Sequence, residues 1–370
     1  MKNIITFLCL LLSQNISSNA NTITTTQCNS YVWNGTTYTT SGAYSYTYLI
    51  SGGLTATDYL LLTINYSSYS SSNATACNYY TWTNGTTYIT SGTYTYTTMN
   101  SYGCDSILTL NLSMNNGVRI SPKAFLFGAY DSISGLMKDS LRAVVIPGYP
   151  IGAIIPSSPA NFLPANSASI SPGVLNIAGP NAIVDWVYVE IRDGSTLSLV
   201  ASQHALIQRD GDVVGTDGVS SLYFPTVCPG NYYVSIKHRN HLGVMTASTK
   251  ALTATTQLIN FSTGTVWGKP GITTPARKQV GSVYTLIAGD ANENRNVKYN
   301  GGSNDKNAIM MAIGFFNLNG TIYGYRNEDV NMDGKVRFNN QENDKLFFLN
   351  EVISLSPTGS PNEILSQHTP

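Results

Sequence analysis

Two stretches near the start of the chain share one pattern, and this pattern decides the fold class. They are Cys28-Asn-Ser-Tyr-Val-Trp33-Asn-Gly-Thr-Thr-Tyr38-Thr-Thr-Ser-Gly-Ala-Tyr-Ser-Tyr46 and Cys77-Asn-Tyr-Tyr-Thr-Trp82-Thr-Asn-Gly-Thr-Thr-Tyr88-Ile-Thr-Ser-Gly-Thr-Tyr-Thr-Tyr96. Asn-Gly and Ser-Gly pairs separate short runs rich in Tyr and Thr, which is typical of β-hairpins. A repeat period of about 50 residues indicates a tandem array of small modules. The sequence therefore predicts two β repeats, at 21–66 and 67–116.

The N-terminus and the composition favour an exported protein. An apolar run at 4–12, which contains Cys9, follows Lys2 and precedes the small residues of 18–20. This is typical of a secretory signal peptide over 1–20, and no later run is long enough to cross a bilayer. Charged residues make up 11% of the chain and the net charge is zero, so nucleic acid is excluded as a partner. We expect a secreted or extracellular protein, either retained at the cell surface or released.

Four cysteines follow the predicted signal peptide, and export permits disulfides. When the two repeats are aligned at their tyrosines, Leu54 of the first stands opposite Cys104 of the second. Only the second repeat can therefore close an internal bridge, Cys77–Cys104, which would stabilise a small core. Cys28 and Cys228 stay unassigned, either free or paired across modules.

The middle of the chain is predicted to form a larger β domain at 117–270. In the run 183–191, alternation places Ile183, Val187, Val189 and Ile191 on one face of a strand. Further strands are predicted near 118–127, 196–208, 219–224, 231–239 and 255–262. Short strands with Gly and Asp turns favour an antiparallel β-sandwich. Six prolines in the stretch 147–172 predict a long surface loop.

This domain contains two candidate clusters of polar side chains. Three aspartates in the stretch 210–217 could hold a cation or share acid–base work, but Asp-Gly pairs are more typical of turns. Cys228, His238 and His241 could hold zinc, but an offset of three along a strand places the two histidines on opposite faces. No nucleophile elbow or triad context is present in the sequence. We therefore predict no catalytic residues and no organic cofactor.

The C-terminal segment carries the most specific pattern, a set of oxygen-bearing residues that recurs after 39 residues. In each copy they stand at positions one, three, five and seven, where position seven offers its backbone carbonyl, and an aspartate closes the loop. Ca²⁺ prefers about six to eight oxygen ligands, so the pattern predicts two calcium sites. The predicted ligands are Asp290, Asn292, Asn294, Asn296 and Asp305 in the first site, and Asp329, Asn331, Asp333, Lys335 and Asp344 in the second.

Each closing aspartate is followed by an apolar segment, at 305–313 and 344–353. Spacings of three, four and seven predict two helices that pack together. Metal binding should contribute folding free energy, because the carboxylates of each loop repel one another without a cation. The second site should bind Ca²⁺ more tightly, since it has one more carboxylate and has Gly334 where the first has Arg295.

Two parts of the chain resemble modules of bacterial surface proteins. The stretches 28–65 and 77–115 resemble the short Cys-x-Ser-Tyr-x-Trp-Asn-Gly-x-x-Tyr repeats of secreted, adhesin-like proteins. Pro229-Gly-Asn-Tyr-Tyr-Val234, together with 185–187 and 209–212, resembles a domain of haemagglutinin-like proteins. The second resemblance spans about 118–262 and implies a surface-binding module.

The duplicated loops of 284–354 resemble the calcium-binding loops of type I dockerin modules. The sequence departs from that family because four extra residues precede each closing aspartate. The resemblance implies partner-recognition positions at 299–300 and 338–339.

The predicted fold is mainly β, with small tandem β-hairpin repeats, an antiparallel β-sandwich and a small α-helical calcium-loop module. The tyrosines of the repeats form either a structural stalk or surfaces that stack on sugars and partner proteins. The favoured function is a non-catalytic, calcium-stabilised adhesion or carbohydrate-binding protein whose partner is an extracellular glycan or glycoprotein. The alternative is an accessory docking component of an extracellular polysaccharide-degrading complex, in which the C-terminal module binds a protein partner.

Overall fold

The computed structural model describes residues 20–115, 117–142, 169–171 and 173–370. Within these ranges it contains 27 strands and two α-helices, so the prediction of a mainly β protein is confirmed. Neither of these helices is both long and apolar enough to cross a membrane. The predicted signal peptide and most of the predicted proline-rich loop lie outside the described residues.

The chain divides into two compact units, Met1–Met114 and Asn115–Pro370. The first unit contains the two repeats. The strands of the first repeat are β1 Thr22–Cys28, β2 Tyr31–Trp33, β3 Thr36–Tyr38, β4 Gly42–Leu49 and β5 Thr55–Asn65. Those of the second are β6 Ser68–Ala76, β7 Tyr80–Thr81, β8 Thr87–Tyr88, β9 Gly92–Met99 and β10 Asp105–Met114.

Each repeat forms a three-stranded sheet and a short hairpin. The sheet orders are β1-β5-β4 and β6-β10-β9, and the first strand of each repeat runs parallel to the last. Asn34 and Gly35, which join β2 to β3, both have positive φ, as a two-residue hairpin turn requires. Beneath each hairpin a buried tryptophan, Trp33 or Trp82, packs on aliphatic side chains of the sheet.

Cys104 is bonded to Cys28, with 5.6 Å between their Cα atoms, so the predicted Cys77–Cys104 bridge is wrong. The parallel pairing explains the difference. Cys77 follows the end of β6, which lies beside the end of β10, whereas Cys104 precedes the start of β10. A strand of about nine residues, or roughly 30 Å, therefore separates Cys77 from Cys104. None of the four cysteines in the described ranges is a free thiol.

We expect the double substitution C28S/C104S to destabilise the first unit by about 2–4 kcal/mol, because the disulfide closes a long loop between two small cores. The measurement is urea unfolding of the full chain, followed by the near-ultraviolet circular dichroism of its tyrosines. Hydrogen exchange in the C-terminal helices is the internal control and should not change. An unchanged unfolding midpoint for the tyrosine signal would contradict the expectation.

The second unit begins with a β region. Its strands are β11 Val118–Lys123, β12 Tyr130–Asp131, β13 Leu136–Met137, β14 Ile183–Asp193, β15 Leu199–Gln208, β16 Val213–Val214, β17 Leu222–Phe224, β18 Gly230–Lys237, β19 Val244–Met245, β20 Lys250–Leu252 and β21 Gln257–Asn260. A six-stranded antiparallel sheet has the order β16-β15-β14-β18-β19, with β20 also paired to β18. A second sheet has the order β17-β11-β21, and side chains of both sheets share one hydrophobic core.

Strand β14 is buried on both faces, whereas alternation predicted one buried face. Trp186, Tyr188 and Glu190 are as buried as Val187 and Val189. The strand lies in the middle of the larger sheet, where elements of the unit cover it from both sides, so the period of two did not separate a core face from a solvent face.

The C-terminal region follows in the same unit. Its elements are β22 Lys278–Val280, β23 Val283–Thr285, β24 Asn296–Lys298, α1 Asp305–Ile313, β25 Thr321–Tyr323, β26 Lys335–Arg337, α2 Asp344–Leu355 and β27 Ile364–Ser366. Both helices begin at the predicted closing aspartates. Ile309 of α1 and Phe348 of α2 share a core with Leu242, which follows β18, so this core includes a residue of the β region.

Candidate metal centre

The two predicted calcium loops, loop 1 at 290–305 and loop 2 at 329–344, share three left-handed backbone positions and differ at a fourth, since Gly301 has positive φ and the equivalent Asn340 does not. Positive φ angles recur in them at a spacing of 39 residues: Glu293, Arg295 and Ser303 in loop 1, and Met332, Gly334 and Glu342 in loop 2. Gly334 takes the predicted left-handed conformation. Arg295 takes it as well, which costs a residue with a side chain about 1–2 kcal/mol relative to glycine.

The first aspartate of each loop is buried beneath the turn that follows it. Asp290 accepts the N–H groups of Asn294 and Arg295 through its two carboxylate oxygens, at 2.9 Å each. Asp329 accepts the equivalent two N–H groups at 3.1 and 2.9 Å. These bonds fix the carboxylate at the base of the loop.

The closing aspartate of each loop ties the loop to a strand and to a helix. Asp305 accepts the N–H groups of Asn292 and Lys298 at 3.2 and 2.8 Å. Asp344 makes the two equivalent bonds at 3.4 and 2.8 Å, and it also accepts the N–H of Val330. Because each of these aspartates is the first residue of a helix, its charge is also placed favourably at the positive end of the helix dipole.

The remaining predicted ligands also make equivalent hydrogen bonds in the two loops. The Oδ1 atoms of Asn294 and Asp333, at position five, each accept the N–H of position seven at 2.9 Å. Asn292 and Asn331, at position three, donate their side-chain amides to the backbone carbonyls of Ser303 and Glu342. Within each loop, the residues at positions one, three, five and seven and the closing aspartate therefore belong to one hydrogen-bonded turn.

Burial opposes ionisation of these carboxyl groups. It raises the pKa of Asp290 to about 7 and the pKa of Asp329 to about 7. Burial and then the neighbouring charge of Asp290 raise the pKa of Asp305 to about 8. Burial and then the charge of Asp329 raise the pKa of Asp344 well above its ordinary value. A divalent cation would remove this penalty, because it supplies the opposite charge inside the loop.

A cavity lies beside each loop, of about 440 Å³ at loop 1 and about 390 Å³ at loop 2. Equivalent residues line the two cavities, namely Asn292, Asn294 and Asn304 in the first and Asn331, Asp333 and Asn343 in the second. In the described ranges no three His, Cys, Asp or Glu side chains form a group that could hold an ion by themselves. A cation would therefore depend on asparagine and backbone oxygens as well, and this hard donor set suits Ca²⁺.

The two loops differ in charge at position five. Asp333 stands in loop 2 where Asn294 stands in loop 1. Arg337 Nη1 lies 3.1 Å from Asp333 and offsets part of its charge. The equivalent lysine, Lys298, instead donates to the carbonyl of Gly302 at 3.1 Å.

Two of the three aspartates of 210–217 accept backbone N–H groups within local turns, among them Asp210, which accepts the N–H of Asp212 at 3.1 Å. Asp217 accepts the N–H groups of Val219 and Ser220 and closes a turn. Asp212 forms an ion pair with Lys123 at 2.9 Å. The contacts of Asp210 and Asp217 match the turn alternative, whereas Asp212 joins two distant segments.

The two histidines of the zinc hypothesis lie close together, contrary to the prediction. Strand β18 ends at Lys237, so His238 and His241 lie in the following turn, with their Nδ1 atoms 3.0 Å apart. His238 Nε2 lies 3.0 Å from Asp185, and Cys228 is in a disulfide, so it offers no thiolate for a metal.

Sequence reasoning did not predict that Asp185 is a buried residue with several polar partners. Its carboxylate lies within hydrogen-bonding distance of His238, of Arg239 at 3.1 Å and of the Tyr325 hydroxyl at 2.5 Å. Burial alone would raise the pKa of Asp185, but the charge of Arg239 and the contacts with His238 hold it below its ordinary value. An aspartate inside the apolar run 183–191 was the available signal, since a buried charge needs partners.

A comparison with models of known protein families gives no match, and a comparison with curated proteins finds no relative. The resemblances to adhesin-like repeats, haemagglutinin-like domains and dockerin loops therefore stay predictions.

The raised pKa values predict that Ca²⁺ stabilises the chain more at high pH than at low pH. In chelator, Asp290, Asp305 and Asp329 hold more protons in the folded state than in the unfolded state between pH 4 and 8, because they titrate near pH 7–8 when folded and near 3.8 when unfolded. The contribution of these carboxyl groups to stability should therefore fall as pH rises through this window. The four buried histidines, whose pKa values burial lowers from 6.5, contribute in the opposite direction with and without Ca²⁺, so their effect cancels in that comparison. Added Ca²⁺ should raise Tm more at pH 8 than at pH 5, because protons compete for the same oxygens.

Differential scanning calorimetry of the full chain at each pH, with EDTA or with Ca²⁺, provides the measurement. Burial also raises the pKa of Glu351 to about 7, but Glu351 is not a predicted ligand, so its effect cancels in the comparison with and without Ca²⁺. An increase in Tm on adding Ca²⁺ that is equal at pH 5 and pH 8 would refute the expectation.

Proposed function

We propose that this chain is an exported, non-catalytic adhesion or carbohydrate-binding protein whose C-terminal region is stabilised by two Ca²⁺ ions. One observation carries the calcium part of the proposal: two loops place buried carboxylates and amide oxygens in the same hydrogen-bonded arrangement at a spacing of 39 residues. Two unrelated acidic turns would not share both the ligand pattern and three left-handed backbone positions.

In this proposal, five residues of each loop hold the ion. Positions one, three and five and the closing aspartate provide side-chain oxygens, while Asn296 and Lys335 provide backbone carbonyls. The side chain of Asn296 is hydrogen-bonded to Ser366 at 2.7 Å, which fits a role for its carbonyl rather than its side chain. The ion supplies the positive charge that the buried carboxylates lack, and so joins the start of each helix to its loop.

The repeats supply the proposed ligand-binding surface. Tyr46 contacts Trp33 edge-on at a ring separation of 6.3 Å and stacks on Tyr48 at 5.9 Å. In the second repeat, Tyr96 contacts Trp82 at 6.4 Å in the same way. The tyrosines at these two positions remain 43% and 39% exposed. Aromatic faces held in place and partly open to solvent can stack on the apolar faces of sugar rings.

The alternative docking function is less well supported by the contacts of the C-terminal region. The resemblance to dockerins implies recognition through positions 299–300 and 338–339. Tyr299 packs against Phe348 with ring centroids 5.5 Å apart, and Phe338 is buried beneath Lys345. Both aromatic side chains therefore take part in internal packing. We interpret the loops and helices as a dockerin-like module that has been built into a larger β-sandwich unit.

The ordering of the two sites can be tested by exchanging their distinguishing residues. We expect loop 2 to bind Ca²⁺ more tightly, and N294D/R295G in loop 1 to raise the affinity of loop 1 by about tenfold or more. The added carboxylate increases the attraction for the cation, and glycine removes the cost of the left-handed conformation. Isothermal titration calorimetry of the full chain measures both sites.

D333N is the matched change in loop 2 and should lower its affinity toward that of loop 1. If loop 1 of the unmodified chain binds more tightly than loop 2, the proposed ordering is wrong.

The proposed sugar-binding surface can be tested with tyrosines on opposite faces of one sheet. Y46A and Y96A should each weaken retention on the bound polysaccharide by about threefold to tenfold, because each removes one stacking ring. Tyr59 is the matched control, since it is 48% exposed and pairs with Ser45, whose side chain points to the other face. Pull-down of the full chain on a panel of polysaccharides and glycoproteins gives the readout. Equal losses from Y46A and Y59A, or retention on none of the ligands, would argue against this surface.

A further inference from the structure

One residue of the β region, Asn240, is hydrogen-bonded to the start of both loops. It lies in the turn after β18. The backbone carbonyl of Asn240 accepts the N–H groups of Gly289 at 3.0 Å and Asp290 at 3.2 Å. Its side-chain amide donates to the carbonyls of Asn327 at 3.0 Å and Asp329 at 2.7 Å. One asparagine therefore holds the first ligand residue of both loops, although these residues are 39 positions apart in the chain.

The position of Asn240 is itself fixed on the side of the β region. His241 Nδ1 lies 2.8 Å from Asn240 Oδ1, while His241 Nε2 accepts the N–H of Gly128 at 3.1 Å. Because Nε2 is an acceptor, the proton of the neutral imidazole lies on Nδ1, which faces Asn240 Oδ1 at 2.8 Å and His238 Nδ1 at 3.0 Å. Asn240 is fully buried, and its carbonyl oxygens and side-chain nitrogen are all hydrogen-bonded. The backbone carbonyl of Asn240 contacts the start of loop 1 and its side-chain nitrogen contacts the start of loop 2, so a shift of the residue as a whole changes its contacts with both loops.

We propose that Asn240 is a positioning residue that couples the two cation sites, so that Ca²⁺ binds to them with positive cooperativity. This inference rests on the proposed calcium binding. A cation in loop 1 fixes Asp290 and with it the backbone of Asn240. The side chain of Asn240 then holds Asp329 where loop 2 needs it, and the same argument applies in the opposite direction because coupling between two sites is reciprocal.

The test compares N240A with N231A in the full chain. Asn231 is exposed and lies in β18, the strand that leads to the turn of Asn240, so N231A is the matched control. Calorimetric titration with Ca²⁺ should show that the first ion increases the affinity for the second by about fivefold or more in the unmodified chain and in N231A. In N240A both ions should still bind, but independently of each other.

Loss of affinity alone would indicate a general structural role, whereas loss of cooperativity with two ions still bound supports the proposal. Cooperativity that persists in N240A, or independent binding in the unmodified chain, would overturn the proposal. A chain that binds no Ca²⁺ would instead refute the proposed function, so the two failures can be distinguished.

Hydrogen exchange provides a second test that leaves Asn240 intact. In D344N, loop 2 lacks its closing carboxylate, so added Ca²⁺ occupies loop 1. Peptides that contain Asp329 and Gly334 should nevertheless gain protection by about fivefold or more, because Asn240 transmits the ordering of Asp290. Protection confined to loop 1 would overturn the proposal even if N240A fails to fold.

Discussion

The C-terminal region of the second unit depends on the burial of four carboxyl groups, two in each loop. Asp290 and Asp329 lie at the base of the loops, and Asp305 and Asp344 lie at the starts of the helices. Backbone N–H groups satisfy their oxygens, but hydrogen bonds to neutral donors do not balance the charge. Burial therefore leaves these groups with raised pKa values, and the partner that we propose for them is a hard divalent cation, which prefers oxygen donors.

The residues that close each loop also lie at the start of a helix. Asn304 and Asn343 cap the helices by accepting the N–H groups of Asn307 and Leu346. The closing aspartate next to each cap also accepts an N–H group from β24 or β26. A change in the charge of the loop would thus affect a helix start and a strand together, which is why metal binding and folding are linked in this account.

The C-terminal region is part of the unit that contains the β region. Leu242 of the β region packs in its core, and Asn240 is hydrogen-bonded to its loops. Strand β27 pairs with β24, and the chain then continues to His368. A bridge between Val244 and His368 then returns the chain to the β region. These contacts distinguish the region from a free docking module.

Local sequence patterns were sufficient to predict the helix starts and the hairpin turns, because neighbouring residues determine these features. The starts of both helices were predicted from the closing aspartates and the apolar segments that follow them. The first hairpin was predicted from the pair Asn34-Gly35. Long-range pairing was not predictable in the same way. The parallel pairing of β6 with β10 places Cys77 far from Cys104, and no local signal reports that pairing. The contacts of Asn240 also depend on three distant segments that meet only in the folded chain.

The most direct measurement of the central claim is the number of calcium ions that the folded chain retains. Native mass spectrometry after equilibration with Ca²⁺ and removal of excess ion should give two ions per chain, and one ion for a variant that combines D329N with D344N. A chain that carries no calcium under these conditions, with its helices still folded, would contradict the account.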